Sequence, residues 1–107
     1  MFTRVVEINT KAGKAREFSR TLNEKVLSLL RTQPGFVDEM LLLSTDNPDR
    51  LLALSFWRTR EDAEKYNREG YPKVQEIIRN VLEGEPDVQT FDVEQSTFHK
   101  IAAGKAA

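Results

Sequence analysis

The sequence predicts an α+β domain, a four-stranded antiparallel sheet with helices on one face, and three observations carry that expectation. Short β-branched and apolar runs alternate with two longer stripes of helical period. Compact turn signals separate them: Thr10-Lys11-Ala12-Gly13, Pro34-Gly35 and Thr45-Asp46-Asn47-Pro48-Asp49-Arg50. The third observation is the stretch from Leu51 to Tyr71. It opens on seven residues, Leu51 to Trp57, that are apolar apart from Ser55, the pattern of a strand covered on both faces. From Thr59 it turns into a polar helical pattern, and Trp57 sits at the junction.

Strand one spans Phe2 to Thr10, with Phe2, Arg4, Val6 and Ile8 on a mainly apolar face and Thr3, Val5, Glu7 and Asn9 on a mixed one. A helix follows to about Thr32, striped by Ala15, Phe18, Leu22, Val26, Leu29 and Leu30, with its charged residues on a solvated face. Pro34 expels the preceding residue from helical geometry and Gly35 relaxes the turn. Strand two, Phe36 to Ser44, carries Asp38 and Glu39 before Met40-Leu41-Leu42-Leu43, as if it left a wet edge for a buried zone. Strand three runs from Leu51 to Arg58 and pairs antiparallel with strand two.

Thr59 is an N-cap, with Asp62 three residues on completing a capping pattern. The helix it starts, Arg60 to about Arg68, has only Ala63 and Tyr66 as apolar positions and reads as cover for an edge. Gly70 breaks it, and Pro72 opens a third helix striped by Val74, Ile77, Ile78, Val81 and Leu82. The last strand runs from Asp87 to about Thr97, with Phe98 to Ile101 as its extension. The domain is thus residues 1–101, and 102–107 form a small, polar tail.

At 107 residues the chain holds one core. Sixteen basic against 17 acidic residues predict no polyanion-binding surface, and nucleic acid is not an expected partner. The absence of cysteine removes disulfides, thiolate catalysis and cysteine metal sites. No apolar run reaches the roughly 20 residues of a membrane span, and the N-terminus lacks an apolar signal core. The expected location is the cytoplasm. No phosphate loop, nucleophile elbow or dinucleotide fingerprint is present. Asp38 and Glu39 alternate across a strand and cannot form a local acid–base pair. Asp92 and Glu94 share a face without histidine nearby, so no metal site is expected.

The order β-α-β-β-α-(α)-β is the ferredoxin-like arrangement. Its helices cover one sheet face, and the opposite face should be wet. Yet strands two and three are apolar on both sides, and the simplest cover is a second copy related by a two-fold axis. A homodimer through the open sheet face, closing an α+β barrel, is expected.

Three local features resemble the antibiotic biosynthesis monooxygenase (ABM) domains of the dimeric α+β barrel class. They are the Gln33-Pro34-Gly35-Phe36 break, the Asp46-Asn47-Pro48-Asp49-Arg50 hairpin, and Trp57 followed by Thr59-Arg60-Glu61-Asp62-Ala63. The resemblance spans nearly the whole chain. Many members carry a histidine nine residues after that tryptophan, where this chain has Tyr66. Haem-degrading relatives use a helix tryptophan and a ligand histidine whose counterparts fall near Tyr66 and Glu76; neither is retained, and haem degradation is not expected.

What the resemblance implies is a monooxygenase with no bound cofactor, oxidising a small aromatic or quinol-like compound whose own anion supplies electrons. The protein then has to bind, deprotonate and exclude water. Trp57 and Tyr66 are the catalytic candidates, and Asn9, Trp57, Tyr66, Tyr71 and Phe91 the candidate lining of a pocket between sheet and helices. Each has a plainer reading. Trp57 packs with its N–H bonded, Tyr66 packs with its hydroxyl reaching solvent, and His99 lies solvent-exposed in the tail. The rival function is a non-catalytic dimeric module that binds a small hydrophobic ligand or simply assembles. A filled interior around Trp57 favours the module, and an open one of several hundred Å³ a ligand.

Overall fold

The computed structural model describes residues 1–101; the expected tail at 102–107 lies outside the described residues. The strands are β1 (Phe2–Asn9), β2 (Phe36–Leu43), β3 (Arg50–Trp57) and β4 (Asp87–Asp92). Between β1 and β2, α1 (Ala15–Thr21) runs through a π-helical turn (Leu22–Val26) into α2 (Leu27–Arg31). Between β3 and β4 lie α3 (Arg60–Glu69), α4 (Tyr71–Ile78) and a 3-10 turn (Arg79–Val81). The sheet order is β2-β3-β1-β4 and every pair is antiparallel, the ferredoxin-like topology the element order predicts. No described helix is long and apolar enough to cross a membrane.

Register decides which side chains meet. Arg4 stands opposite Ser55 and Thr90, Val6 opposite Ala53 and Val88, and Phe2 opposite Trp57. Ser55 in turn stands opposite Glu39, and Trp57 opposite Phe36. Directly paired residues project to the same side, so Phe2, Arg4, Val6, Ile8, Ser55 and Trp57 face the helices. Val5, Met40, Leu42, Leu52, Leu54, Phe56 and Phe91 share the other face. A bulge between Phe36 and Asp38 lets Phe36 and Glu39, three apart, both turn toward the helices.

The core lies between sheet and helices. Phe18, Leu22, Val26 and Leu30 descend from the first helical run, Val74, Ile78 and Val81 from the second, onto Phe2, Val6, Ile8 and Leu51. The capping pattern is realised: Thr59 Oγ1 accepts from the Asp62 N–H at 3.1 Å.

Four expectations are corrected. α3 does not merely cover an edge, because both its apolar positions, Ala63 and Tyr66, belong to the core. Two residues suffice since they sit on one side of the helix above Trp57. β2 does not enter a buried zone: it is the edge strand, and Met40, Leu42 and Leu43 are exposed in the single chain. β4 stops at Asp92, and Phe98 to Ile101 does not extend it. Instead Ser96 pairs back to Ile101 around a tight loop in which Lys100 takes a left-handed φ of 56°. That loop lays His99 on the open sheet face, 5.4 Å from Phe56 between ring centroids and 4.0 Å from the Asp38 carboxylate. Its side chain is only 13% exposed, so His99 is not a free tail residue; the apolar ring beneath it provides the docking surface.

Candidate functional site

One lateral row across the sheet, Arg4 on β1, Ser55 on β3 and Glu39 on β2, places three polar side chains beneath the helices. Arg4 is the unusual one. It is 3% exposed, and its guanidinium carbon lies 5.0 Å from the Tyr66 ring centroid and 4.5 Å from that of Tyr71. Its Nη2 donates to Asn67 Oδ1 at 3.0 Å. No carboxylate among the described residues forms an ion pair with it. Burial lowers its pKa while the two tyrosines oppose that shift, but a guanidinium stays charged throughout the physiological range.

The tyrosines are held from behind. Trp57, fully buried, stacks on Tyr66 with ring centroids 4.9 Å apart and meets Phe36 edge-on at 5.6 Å. Its indole N–H donates to Ser55 Oγ at 2.9 Å, so its polar edge is satisfied inside the protein. The Tyr66 ring thus lies between an indole and a guanidinium. Gly70 permits this placement, since a Cβ there would fall 2.7 Å from a Tyr66 ring carbon.

Among the described residues, two buried side-chain polar atoms have no partner within the chain: the Tyr71 hydroxyl and Glu39 Oε1. Unpartnered buried groups of this kind are rare and mark strain, an ordered water or a ligand site. Both line a cavity, together with Arg4, Ser55 and Tyr66. The sheet supplies its apolar floor through Val6, Ile8 and Ala53, and the helices its roof through Phe18, Leu22, Val26, Leu30, Val74 and Ile78. Leu22 and Val26 belong to the π-helical turn, an irregularity that recurs at functional sites. About 430 Å³ of space separates the walls, mouth included, but only about 40 Å³ is wide enough to centre a water-sized sphere. It is a narrow crevice with room for a water, and anything larger would require its walls to part.

Burial pushes the Tyr66 hydroxyl up to about 12, against the opposing pull of Arg4. It therefore stays protonated at neutral pH and donates rather than abstracts. Burial, and the neighbouring Asp38 charge to a lesser degree, also raise the Glu39 carboxyl above its ordinary 4.5. The folded chain then keeps a proton that the unfolded chain has lost, so stability declines as pH rises from about 4.5 through the raised value. Glu39→Gln is accordingly expected to raise the melting temperature at pH 7 and to give no gain near pH 4, read by thermal unfolding at both pH values.

Of the residues singled out from the sequence, the fold brings Tyr66 and Tyr71 together at the cavity. Trp57 stands behind Tyr66 and does not line it. Asn9 is exposed at the end of β1, on the strand face that carries Glu7, and Phe91 pairs opposite Thr3, so both project from the other face of the sheet. The cavity's two charged residues went unrecognised. Arg4 had a readable signal, a lone charge in the apolar register of β1. Glu39 had none, because its direction depends on the bulge.

The fold and this narrow, mostly apolar crevice define a small ferredoxin-like α+β domain with a polar cluster under its helices. The family model described as Antibiotic biosynthesis monooxygenase matches residues 1–80, and the chain belongs to that family. A comparison with curated protein sequences found no match. Among solved structures, SnoaB, a cofactor-independent oxygenase from Streptomyces nogalater, is similar at 18% identity and TM-score 0.74, over 90% of this chain and 95% of its own. A putative antibiotic biosynthesis monooxygenase from Nitrosomonas europaea is similar at 19% identity and TM-score 0.71, over 86% and 97%. A variant of MhuD with two manganese protoporphyrin IX molecules per active site is similar at 17% identity and TM-score 0.75, over 91% and 98%.

Proposed function

We propose that the chain is a monooxygenase of the ABM type that oxidises a small aromatic or quinol-like compound with molecular oxygen and without a bound cofactor. The observation that carries this reading is the cluster of Arg4, Glu39, Tyr66 and Tyr71 converging on one apolar crevice, with two of its polar atoms unpartnered. A cavity with apolar walls and few convergent polar groups is the usual form of a small-molecule site. In that site Glu39 is the proton acceptor, the tyrosine hydroxyls orient the ring, and the helices exclude water. The lining presents no histidine to ligate a haem iron. Oxygen uptake with a panel of quinols and anthrone-type phenols tests the proposal. Uptake above the uncatalysed rate, diminished at least tenfold in Tyr71→Phe or Glu39→Gln, supports it; no uptake with any of them favours the non-catalytic module. The narrowness of the crevice and the fully packed Trp57 are what speak for that second reading.

We also propose that the chain works as a homodimer through the open sheet face. Val5, Leu52, Leu54 and Phe56 lie at its centre, with Met40, Leu42 and Phe91 exposed around them. A contiguous apolar surface of this kind on an isolated chain calls for a partner. Its continuity across β2, β3 and β1 suits an isologous contact. Leu54→Glu would place a charge at the centre of that contact. It is expected to convert a dimer into a monomer at micromolar concentration, read as a halved mass in light scattering. A wild-type monomer under the same conditions would contradict the interface.

A further inference from the structure

We infer that the crevice takes a planar organic monoanion, whose oxyanion docks on the Arg4 guanidinium while its flat body lies between the sheet and the π-helical turn. This deepens the reading of the crevice as a binding site and rests on it. A buried charge is ordinarily paired, because an unpaired one forfeits solvation without return. Arg4 is buried, yet its polar contacts are the Asn67 side chain and two tyrosine rings, none of which is a counter-charge. Glu39 is the one carboxylate lining the same space, and it does not reach ion-pair distance.

The geometry selects the shape of the missing partner. A guanidinium offers five N–H donors in one plane and matches a planar oxyanion two bonds at a time. The Tyr66 and Tyr71 ring centroids are 6.1 Å apart, so both rings stand on one side of Arg4, and the Asn67 bond uses only one of its N–H groups, leaving further donors for an oxyanion. The free Tyr71 hydroxyl adds a donor at the same end of the crevice, and the free Glu39 Oε1 an acceptor on the opposite strand. A ligand hydroxyl that transfers its proton to Glu39 arrives at the same state as a preformed carboxylate beside a protonated Glu39. Either way the crevice holds one cation and one anion. The apolar walls, Val6 and Ala53 below and Leu22 and Val26 above, would flank the ligand's body.

Calorimetric titration of the full chain at pH 7 with 2-naphthoate, 2-naphthamide and 2-naphthol tests this. The carboxylate is expected to bind at least tenfold more tightly than the amide of the same shape. Arg4→Met is expected to abolish that preference and Arg4→Lys to retain part of it. Binding of 2-naphthol with the red-shifted absorption of its anion and a heat independent of the buffer, its proton having passed to Glu39, would identify a hydroxyl acid as the source of the anion; binding of 2-naphthoate alone would identify a carboxylate. If amide and carboxylate bind wild type equally, the charge assignment falls and the binding site stands. If none of the three binds, both fall. Should Arg4→Met fail to fold, the wild-type comparison of carboxylate with amide still decides.

Discussion

Trp57→Ala is expected to be the most damaging single truncation in the chain, at a cost of about 3–5 kcal/mol. The indole has no exposed surface, so its removal leaves a cavity that Phe36 on one side and Tyr66 on the other cannot both fill. It also strips Ser55 Oγ of the indole N–H it accepts. Against a total stability of about 5–15 kcal/mol for a domain of this size, the loss is expected to lower the melting temperature by at least about 12 °C. Trp57→Phe keeps most of the apolar contact and loses the hydrogen bond, and should fall between the two. Thermal unfolding at one fixed protein concentration checks both. An alanine variant within about 1 kcal/mol of wild type would mean that the stack under Tyr66 is not what holds the site.

Gly70→Ala is expected to disturb the same Tyr66 ring. Its φ is −103°, so backbone strain is not the issue. The issue is space: the new methyl would sit 2.7 and 2.9 Å from two Tyr66 ring carbons and 3.2 Å from the Gln33 amide oxygen. The ring cannot retreat, because Trp57 stacks on it and Arg4 lies against it as well. Overpacking of this kind costs about 1–3 kcal/mol, and the relief available to Tyr66 is into the crevice. The variant should therefore lose both stability and ligand binding. Gly13 is the control: its φ is +74° but nothing stands within 4 Å of a Cβ there. Gly13→Ala should cost only the left-handed backbone penalty of about 1–2 kcal/mol and leave the crevice unchanged. Melting temperatures and affinities for 2-naphthoate, compared across the two variants, separate the mechanisms.

How far the sequence discloses this can be judged residue by residue. The element order, the helix stripes and the Thr59 cap are local signals, and the fold realises them within a residue or two. Tyr66 stands out in the sequence as an aromatic with a polar handle on a short polar helix, and Tyr71 as one at the start of the next helix. Glu39 was illegible for a physical reason. Its face is set by a bulge, and one extra residue inverts every assignment beyond it. The edge position of β2 was hidden too, since strand order is a long-range property that apolar content does not encode. His99 was misplaced because a tight loop after β4 folds it onto Phe56, a contact 43 residues away in sequence.

Amide and side-chain NMR of the full chain, titrated with a small aromatic fragment set, tests most directly that the Arg4 crevice is the working site. Shifts are expected to concentrate at Arg4, Glu39, Tyr66, Tyr71 and the π-helical turn, Leu22–Val26. Shifts confined to the open sheet face, or to the loop that carries His99, would contradict it.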